Sequence, residues 1–235
     1  MHCMKQIIAI GGGGFIKSHT DGQVPCLGRY IIEQTGKKNP KICFLPQASA
    51  ESKEYITWFY KTFLALGAQP SYVSLFGRVE PTWKQQLLTS DIIYVGGGNT
   101  RSMLALWREW GVDSVLRQAY EQGIVLTGVS AGAICWFEHG ITDSVWPLGV
   151  LDCLGILPGS CCPHYDTEPD RRPAYLDFTK QGASLPGIAL QDDVAAHYVD
   201  GKLKHIVSIY DNKKAYTVSA GIETELPTRF IGIKT

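Results

Sequence analysis

The sequence predicts an α/β fold in three layers, with a mainly parallel central sheet between two layers of helix. Three observations predict it. Short β-branched runs alternate with stretches of helical period through about the first 130 residues. Glycine-rich turns fall directly after two of those runs, at 11–14 and 96–98. One run, GIVLTG at 123–128, passes straight into VSAGAICWF, a strand giving way to a helix across a serine flanked by glycines. Alternation of this kind needs right-handed crossovers, which put helices on both faces of the sheet.

In order, the strand candidates are KQIIAI at 5–10, KICFLP at 41–46, SYVSLF at 71–76, DIIYVG at 91–96 and GIVLTG at 123–128. Each reads as a buried parallel strand. Helices are expected around 25–35, 51–66, 82–89 and 101–121, the last broken near Gly111; Met103, Leu104, Leu106, Trp107 and Trp110 form one broad apolar face. After about residue 185 the pattern changes to closely spaced strands with little helix: GIALQ, AAHYVD, KHIVSIY, KAYTVSA and TRFIGI. HYVDGKLKHIV, with its Asp-Gly pair, reads as a hairpin. No repeat, linker or low-complexity segment divides the chain, so residues 1–235 are expected to form one domain.

Lys plus Arg is 22 and Asp plus Glu is 22, which leaves no net field to attract nucleic acid or an anionic membrane. The longest apolar runs fall far short of the roughly 20 residues of a bilayer span, and MHCMKQII lacks the long apolar region of a signal peptide. A small-molecule partner and a cytoplasmic location are expected, with monomer and homodimer both open. Seven cysteines make an odd, irregular set, and the apolar surroundings of Cys43 and Cys135 point to buried reduced thiols. Cys161, Cys162 and His164 lack C-x2-C spacing and no second pair follows, so no metal is expected.

The first glycine turn, GGGG at 11–14, is followed by FIKSHTDG and lacks the third glycine of a dinucleotide fingerprint, so it reads as a tight turn at a strand end. GGGNT at 96–100 hands the chain to a helix with Asn99 or Thr100 as N-cap. It sits where open α/β sheets bind ligands, and its glycines permit close backbone approach to an anion.

Gly128-Val129-Ser130-Ala131-Gly132 matches G-x-S-x-G in the strand–turn–helix context that a nucleophile elbow requires. There Ser130 is held on a strained turn with Oγ exposed. The N–H of Ala131 would face an oxyanion, with the Gly97 or Gly98 amide as second donor. A serine hydroxyl needs a base. Of six histidines, His2 and His19 lie in the N-terminal region, His139 would end the helix that Ser130 begins, and His197 and His205 fall in the hairpin strands. His164 lies in the loop-like GSCCPHYDTE, a segment to be positioned by the scaffold. Candidates for an orienting acid are Asp143, Asp152, Asp166, Glu168, Asp192 and Asp193.

VGGGNT, GVSAGA, LPGSCCPHYD and ALQDD, in that order, resemble the peptidase E group of serine peptidases, family S51, which includes the cyanophycinases. The resemblance runs from about residue 40 to about residue 215. It implies a flavodoxin-like, class I glutamine amidotransferase-like sandwich, with serine in place of the amidotransferase cysteine and no metal or organic cofactor. It assigns the nucleophile to Ser130, the base to His164 and the oxyanion side to the glycine loop at 96–98. For the third member it offers Asp143 or Asp192. Peptidase E proper cleaves dipeptides that begin with aspartate and holds that side chain with a basic residue after the histidine. Arg171 and Arg172 in EPDRRPAY fall in this segment, with Asn99 a further candidate for substrate contact. GGGGF is closer to cyanophycinase-like members.

The expected function is that of a serine exopeptidase acting on small peptides through an acyl-enzyme, with N-terminal aspartate as the candidate first residue. The alternatives are a cyanophycinase-like or β-aspartyl isopeptidase hydrolase, and a non-catalytic protein that binds a small ligand on the same fold.

Overall fold

A computed structural model of the chain describes residues 4–13 and 25–232. Five strands lie parallel at its centre: β1 (Gln6–Ile10), β2 (Lys41–Leu45), β3 (Gln69–Tyr72), β4 (Ile92–Val95) and β5 (Val125–Val129), side by side in the order β1-β5-β4-β2-β3. Between them run α1 (Cys26–Glu33), a 3₁₀ turn (Gln47–Ser49), α2 (Lys53–Ala65), α3 (Trp83–Leu88), α4 (Thr100–Trp110) and α5 (Val112–Glu121). Successive strand residues face opposite sides. Ile8 and Ile10 therefore join Leu27, Ile31, Phe59 and Phe63 on one face, and Ile7 and Ala9 join Leu104, Trp107 and Leu116 on the other. Helices cover both faces, as the alternation predicts. Gly111, at φ 71°, closes α4 and opens α5, the break read in the sequence.

Two elements differ from expectation for local reasons. β3 spans 69–72 rather than 71–76, because the Glu51 carboxylate takes the Leu75 N–H and the Ser74 hydroxyl, each at 2.5 Å, and the Gln47 amide takes the Val73 carbonyl at 2.8 Å. The Leu75 N–H and the Val73 carbonyl would otherwise be free to extend the ladder. The helix after Ser130, α6 (Ala131–Ile134), has only four residues. The carbonyls of Cys135, Trp136 and Phe137 accept from Leu154, Leu157 and Gly155, so helical continuation loses its acceptors. His139 accordingly starts a strand instead of ending a helix.

That strand, β6 (His139–Thr142), belongs to a second sheet not anticipated between residues 139 and 162. It is built with β7 (Gly149–Asp152), β8 (Ser160–Cys162), β9 (Gly187–Leu190), β12 (Ala215–Ser219) and β13 (Ile222–Leu226), in the order β13-β12-β9-β8-β6-β7. Cys161, Ile188 and Leu190 turn one face into the apolar cluster that also holds Trp136 and Leu116. On the other face Cys162, Ile141 and Ala189 pack with Tyr175 of α7 (Arg171–Lys180). Cys161 and Cys162 thus point into two cores, each as a free buried thiol.

β10 (Val194–Val199), β11 (Lys202–Ser208) and β14 (Arg229–Phe230) extend the central sheet to eight strands, β14-β11-β10-β1-β5-β4-β2-β3. β10 and β11 form the expected hairpin about Asp200–Gly201. Between β9 and β10 the chain leaves the smaller sheet for the larger one across residues 191–193. Among the described residues no helix is long and apolar enough to cross a membrane.

Candidate active site

Ser130 sits between β5 and α6 with φ 56° and ψ −111°, a conformation costly for a residue with a side chain. It is kept there by its N–H on the Ile10 carbonyl at 3.0 Å and by its own carbonyl, which accepts from Ala133 at 2.8 Å and Ile134 at 3.0 Å. The flanking glycines are required by close approach: a Cβ on Gly128 would lie 2.4 Å from the Gly132 oxygen, and one on Gly132 2.2 Å from the Val95 oxygen. The elbow read in the sequence is therefore present.

His164 follows β8, also in a left-handed conformation (φ 53°), with its N–H on the Gly11 carbonyl at 3.3 Å. Its Nε2 lies 2.9 Å from Ser130 Oγ and its Nδ1 2.8 Å from Asp192 Oδ1. A carboxylate accepting from Nδ1–H leaves Nε2 as the acceptor for the serine hydroxyl. Asp192 lies just after β9 and is buried, and its N–H is held by Asp166 Oδ1 at 2.9 Å. The second Asp166 oxygen takes Lys213. Asp166 thus fixes the backbone of the acid and does not meet the imidazole itself.

The structure brings Asp192, and not Asp143, to His164. Asp143 follows β6, where its Oδ1 takes Arg171 Nη2 at 3.2 Å. Asp152 lies out at the end of β7, 3.6 Å from His139. Arg171 is 3% exposed, and its fork is filled by Glu168 (2.5 Å from Nε), the Ile141 carbonyl (2.8 Å from Nη1) and Asp143. Arg172 binds Glu223 through Nε and Nη2 and lies over the rings of Tyr165 and Tyr216. Both arginines expected to receive a substrate carboxylate are therefore engaged with carboxylates of the chain.

The glycine loop is also only partly open. The Gly97 N–H is taken by the Tyr55 hydroxyl at 3.2 Å. Burial pushes that phenol up to about 12, so its oxygen stays protonated while accepting. Among the described residues the N–H groups of Gly98 and Ala131 have no partner. Asn99 caps α4, accepting from Ser102 N–H at 2.9 Å while its amide donates to the Ser144 carbonyl at 3.1 Å. Both ends of its side chain are thus in use within the chain.

Sequence reading missed two residues here. Gly12 lies against the histidine–aspartate bond: a Cβ on it would be 1.9 Å from Asp192 Oδ1 and 2.5 Å from His164 Nδ1. The first glycine turn, read as a simple turn, is the floor of this pair, and Asp193 N–H returns to the Gly12 carbonyl at 3.0 Å. Gly14, His2 and His19 lie outside the described residues. Tyr55 stands in an ordinary helical pattern that carries no signal. Among the described residues no three groups are arranged to hold a metal ion.

A hydroxyl, a proton acceptor, a carboxylate behind it and two unpartnered amides beside it are what attack on a carbonyl group requires. The sequence profile of peptidase family S51 matches residues 7–206. The chain is 46% identical over 233 residues to the uncharacterized peptidase YgaJ of Bacillus subtilis (strain 168), covering 97% of this chain and 100% of that one. It is 25% identical over 226 residues to a protein named peptidase E from Shewanella denitrificans, covering 90% and 92%. The crystal structure of a peptidase from an acI-B1 Actinobacterium superposes with a TM-score of 0.71 at 17% identity, covering 97% and 96%.

Proposed function

The chain belongs to peptidase family S51, and from that premise we propose that it works as a serine exopeptidase on short peptides. The observation that carries the reading is the unbroken line Ser130 Oγ, His164 Nε2, His164 Nδ1 and Asp192 Oδ1, with spacings of 2.9 and 2.8 Å. Ser130 Oγ attacks the scissile carbonyl carbon as its proton passes to His164 Nε2. The oxyanion that forms is met by the N–H groups of Gly98 and Ala131. His164 then returns the proton to the departing amine, leaving an acyl-serine, and water repeats the sequence in reverse. Asp192 holds the ring and stabilises the imidazolium at each stage.

Preference for an N-terminal aspartate is the finer part of the proposal. It would require an arginine to exchange its internal carboxylate for that of the substrate. Arg172, with a half-exposed side chain, has the access to do so, and the buried Arg171 does not.

The test is hydrolysis of an aminoacyl-p-nitroanilide panel that includes aspartate, by the wild type and by Ser130→Ala. Turnover is expected from the wild type and a loss of at least about three orders of magnitude in the variant. A variant that keeps the wild-type rate removes Ser130 from the reaction. Response to the aspartyl compound alone supports the finer reading, whereas turnover confined to β-aspartyl peptides redirects it to the isopeptide linkage.

A further inference from the structure

Among the described residues one carboxylate oxygen of Glu168 accepts no hydrogen bond, and that oxygen lies beside His164. Glu168 Oε2 is gripped by Arg171 Nε at 2.5 Å, and Arg171 is anchored by the Ile141 carbonyl. The backbone is equally fixed: Glu168 N–H donates to the His164 carbonyl, and Arg171 N–H donates to the carbonyl of Glu168, both at 3.1 Å. Oε1 is thereby held 3.9 Å from His164 Nε2, the nitrogen that faces Ser130. That is too long for a hydrogen bond. The neighbouring acids have partners within the chain: Asp143 on Arg171, Asp166 on Lys213, Glu223 on Arg172 and Tyr165, and Asp192 on His164. Among the described residues Glu168 Oε1 accepts no hydrogen bond, the 3.9 Å approach of His164 Nε2 aside, and its side chain is 42% exposed, so a ligand can reach it.

Resting on the serine mechanism above, we infer that Glu168 is the anionic subsite that receives the α-ammonium of the first residue of the substrate. The reach fits. At attack the carbonyl carbon stands about 3.0–3.5 Å from Oγ, the α-nitrogen lies about 2.5 Å from that carbon through the N–Cα and Cα–C bonds, and an ammonium–carboxylate contact adds about 2.8 Å. Glu168 Oε1 lies within that span of Ser130 Oγ, since legs of 2.9 and 3.9 Å through His164 Nε2 bound its distance. A charged partner at this point requires a free N-terminus and excludes the interior of longer chains, because an internal amide brings no cation to the half-satisfied carboxylate. The subsite therefore makes the reaction an exopeptidase one.

The experiment uses the diphenyl ester of 1-aminoethylphosphonate, as the free amine and as its N-acetyl derivative. Ser130 Oγ forms a bond to phosphorus while one P–O bond breaks, and the serine proton leaves through His164 with the phenol. For the wild type the free amine is expected to inactivate about 10–100-fold faster than the acetylated ester. In Glu168→Gln, whose amide oxygen still accepts from Arg171, that ratio should fall to within about threefold, the larger loss falling on the free amine. Asp143→Asn also takes an acid from Arg171 and should keep the ratio. Glu168→Asp withdraws the carboxylate by about 1.5 Å; it should give an intermediate ratio and serves should the glutamine variant fail to fold. The inference is overturned if the wild type shows no preference, if the ratio survives in Glu168→Gln, or if both rates fall together there. If neither ester adds mass to the wild-type protein, the serine mechanism fails and the subsite falls with it.

Discussion

A missing methyl group leaves room for the contact between His164 and Asp192. Gly12 leaves the space in which Nδ1 of His164 meets Asp192, and any Cβ there would overlap the Asp192 carboxylate. Gly12→Ala is expected to lower kcat by about 100-fold or more, because a displacement near 1 Å at a catalytic pair costs that much. Steady-state rates beside a native circular dichroism spectrum check this; a variant with the wild-type kcat would show that the pair tolerates the shift. Residue-level legibility followed how local each signal is. Ser130 and its glycines are specified by neighbours within two positions, and His164 stands out in a loop. The choice between Asp143 and Asp192 was not legible, because it turns on a buried arginine almost thirty positions from Asp143. For the same reason Arg171 and Arg172 read as free substrate-binding cations.

At the scale of elements, the central strands and their helices were legible because burial on both faces leaves uninterrupted apolar runs. The second sheet was not. β6, β7 and β8 have three or four residues each, too few to show a period, and the trimming of β3 by Glu51 depends on a side chain outside the strand. One histidine ties elements together in a way that can be titrated. His197 on β10 accepts the Tyr30 hydroxyl of α1 at Nδ1 (2.8 Å) and donates from Nε2 to Gln6 of β1 (3.0 Å). Burial, and then the neighbouring His205, lower its pKa to about 4. The unfolded chain therefore binds this proton first as pH falls. The contribution of His197 to stability is complete above about pH 6.5 and is lost progressively toward pH 4. Urea midpoints across that range should fall less steeply in His197→Gln than in the wild type. Equal slopes would show that His197 is not the group that titrates.

Across the whole molecule, the site exists only where two sheets meet. Ser130 follows a strand of the larger sheet, His164 follows a strand of the smaller, and Asp192 rides on the chain that crosses between them. Beneath the site, one apolar cluster is shared: Cys161, Ile188 and Leu190 from the smaller sheet pack with Trp136, Leu116 and Val194. Sheets joined through a common core should unfold together. Loss of turnover, tryptophan fluorescence and far-ultraviolet dichroism in urea are thus expected to share one midpoint; two separated transitions would show that the sheets part independently. The crossing at 191–193 also decides how this chain can be divided. A break at the Asp200–Gly201 turn opens a hairpin tip and keeps Ser130, His164 and Asp192 on one fragment. A break at 191–193 leaves Asp192 at a loose end, with Ser130 and His164 on the fragment before it. A two-piece form that reassembles with its chemistry intact is therefore one cut at the hairpin tip, and the crossing must stay covalently whole.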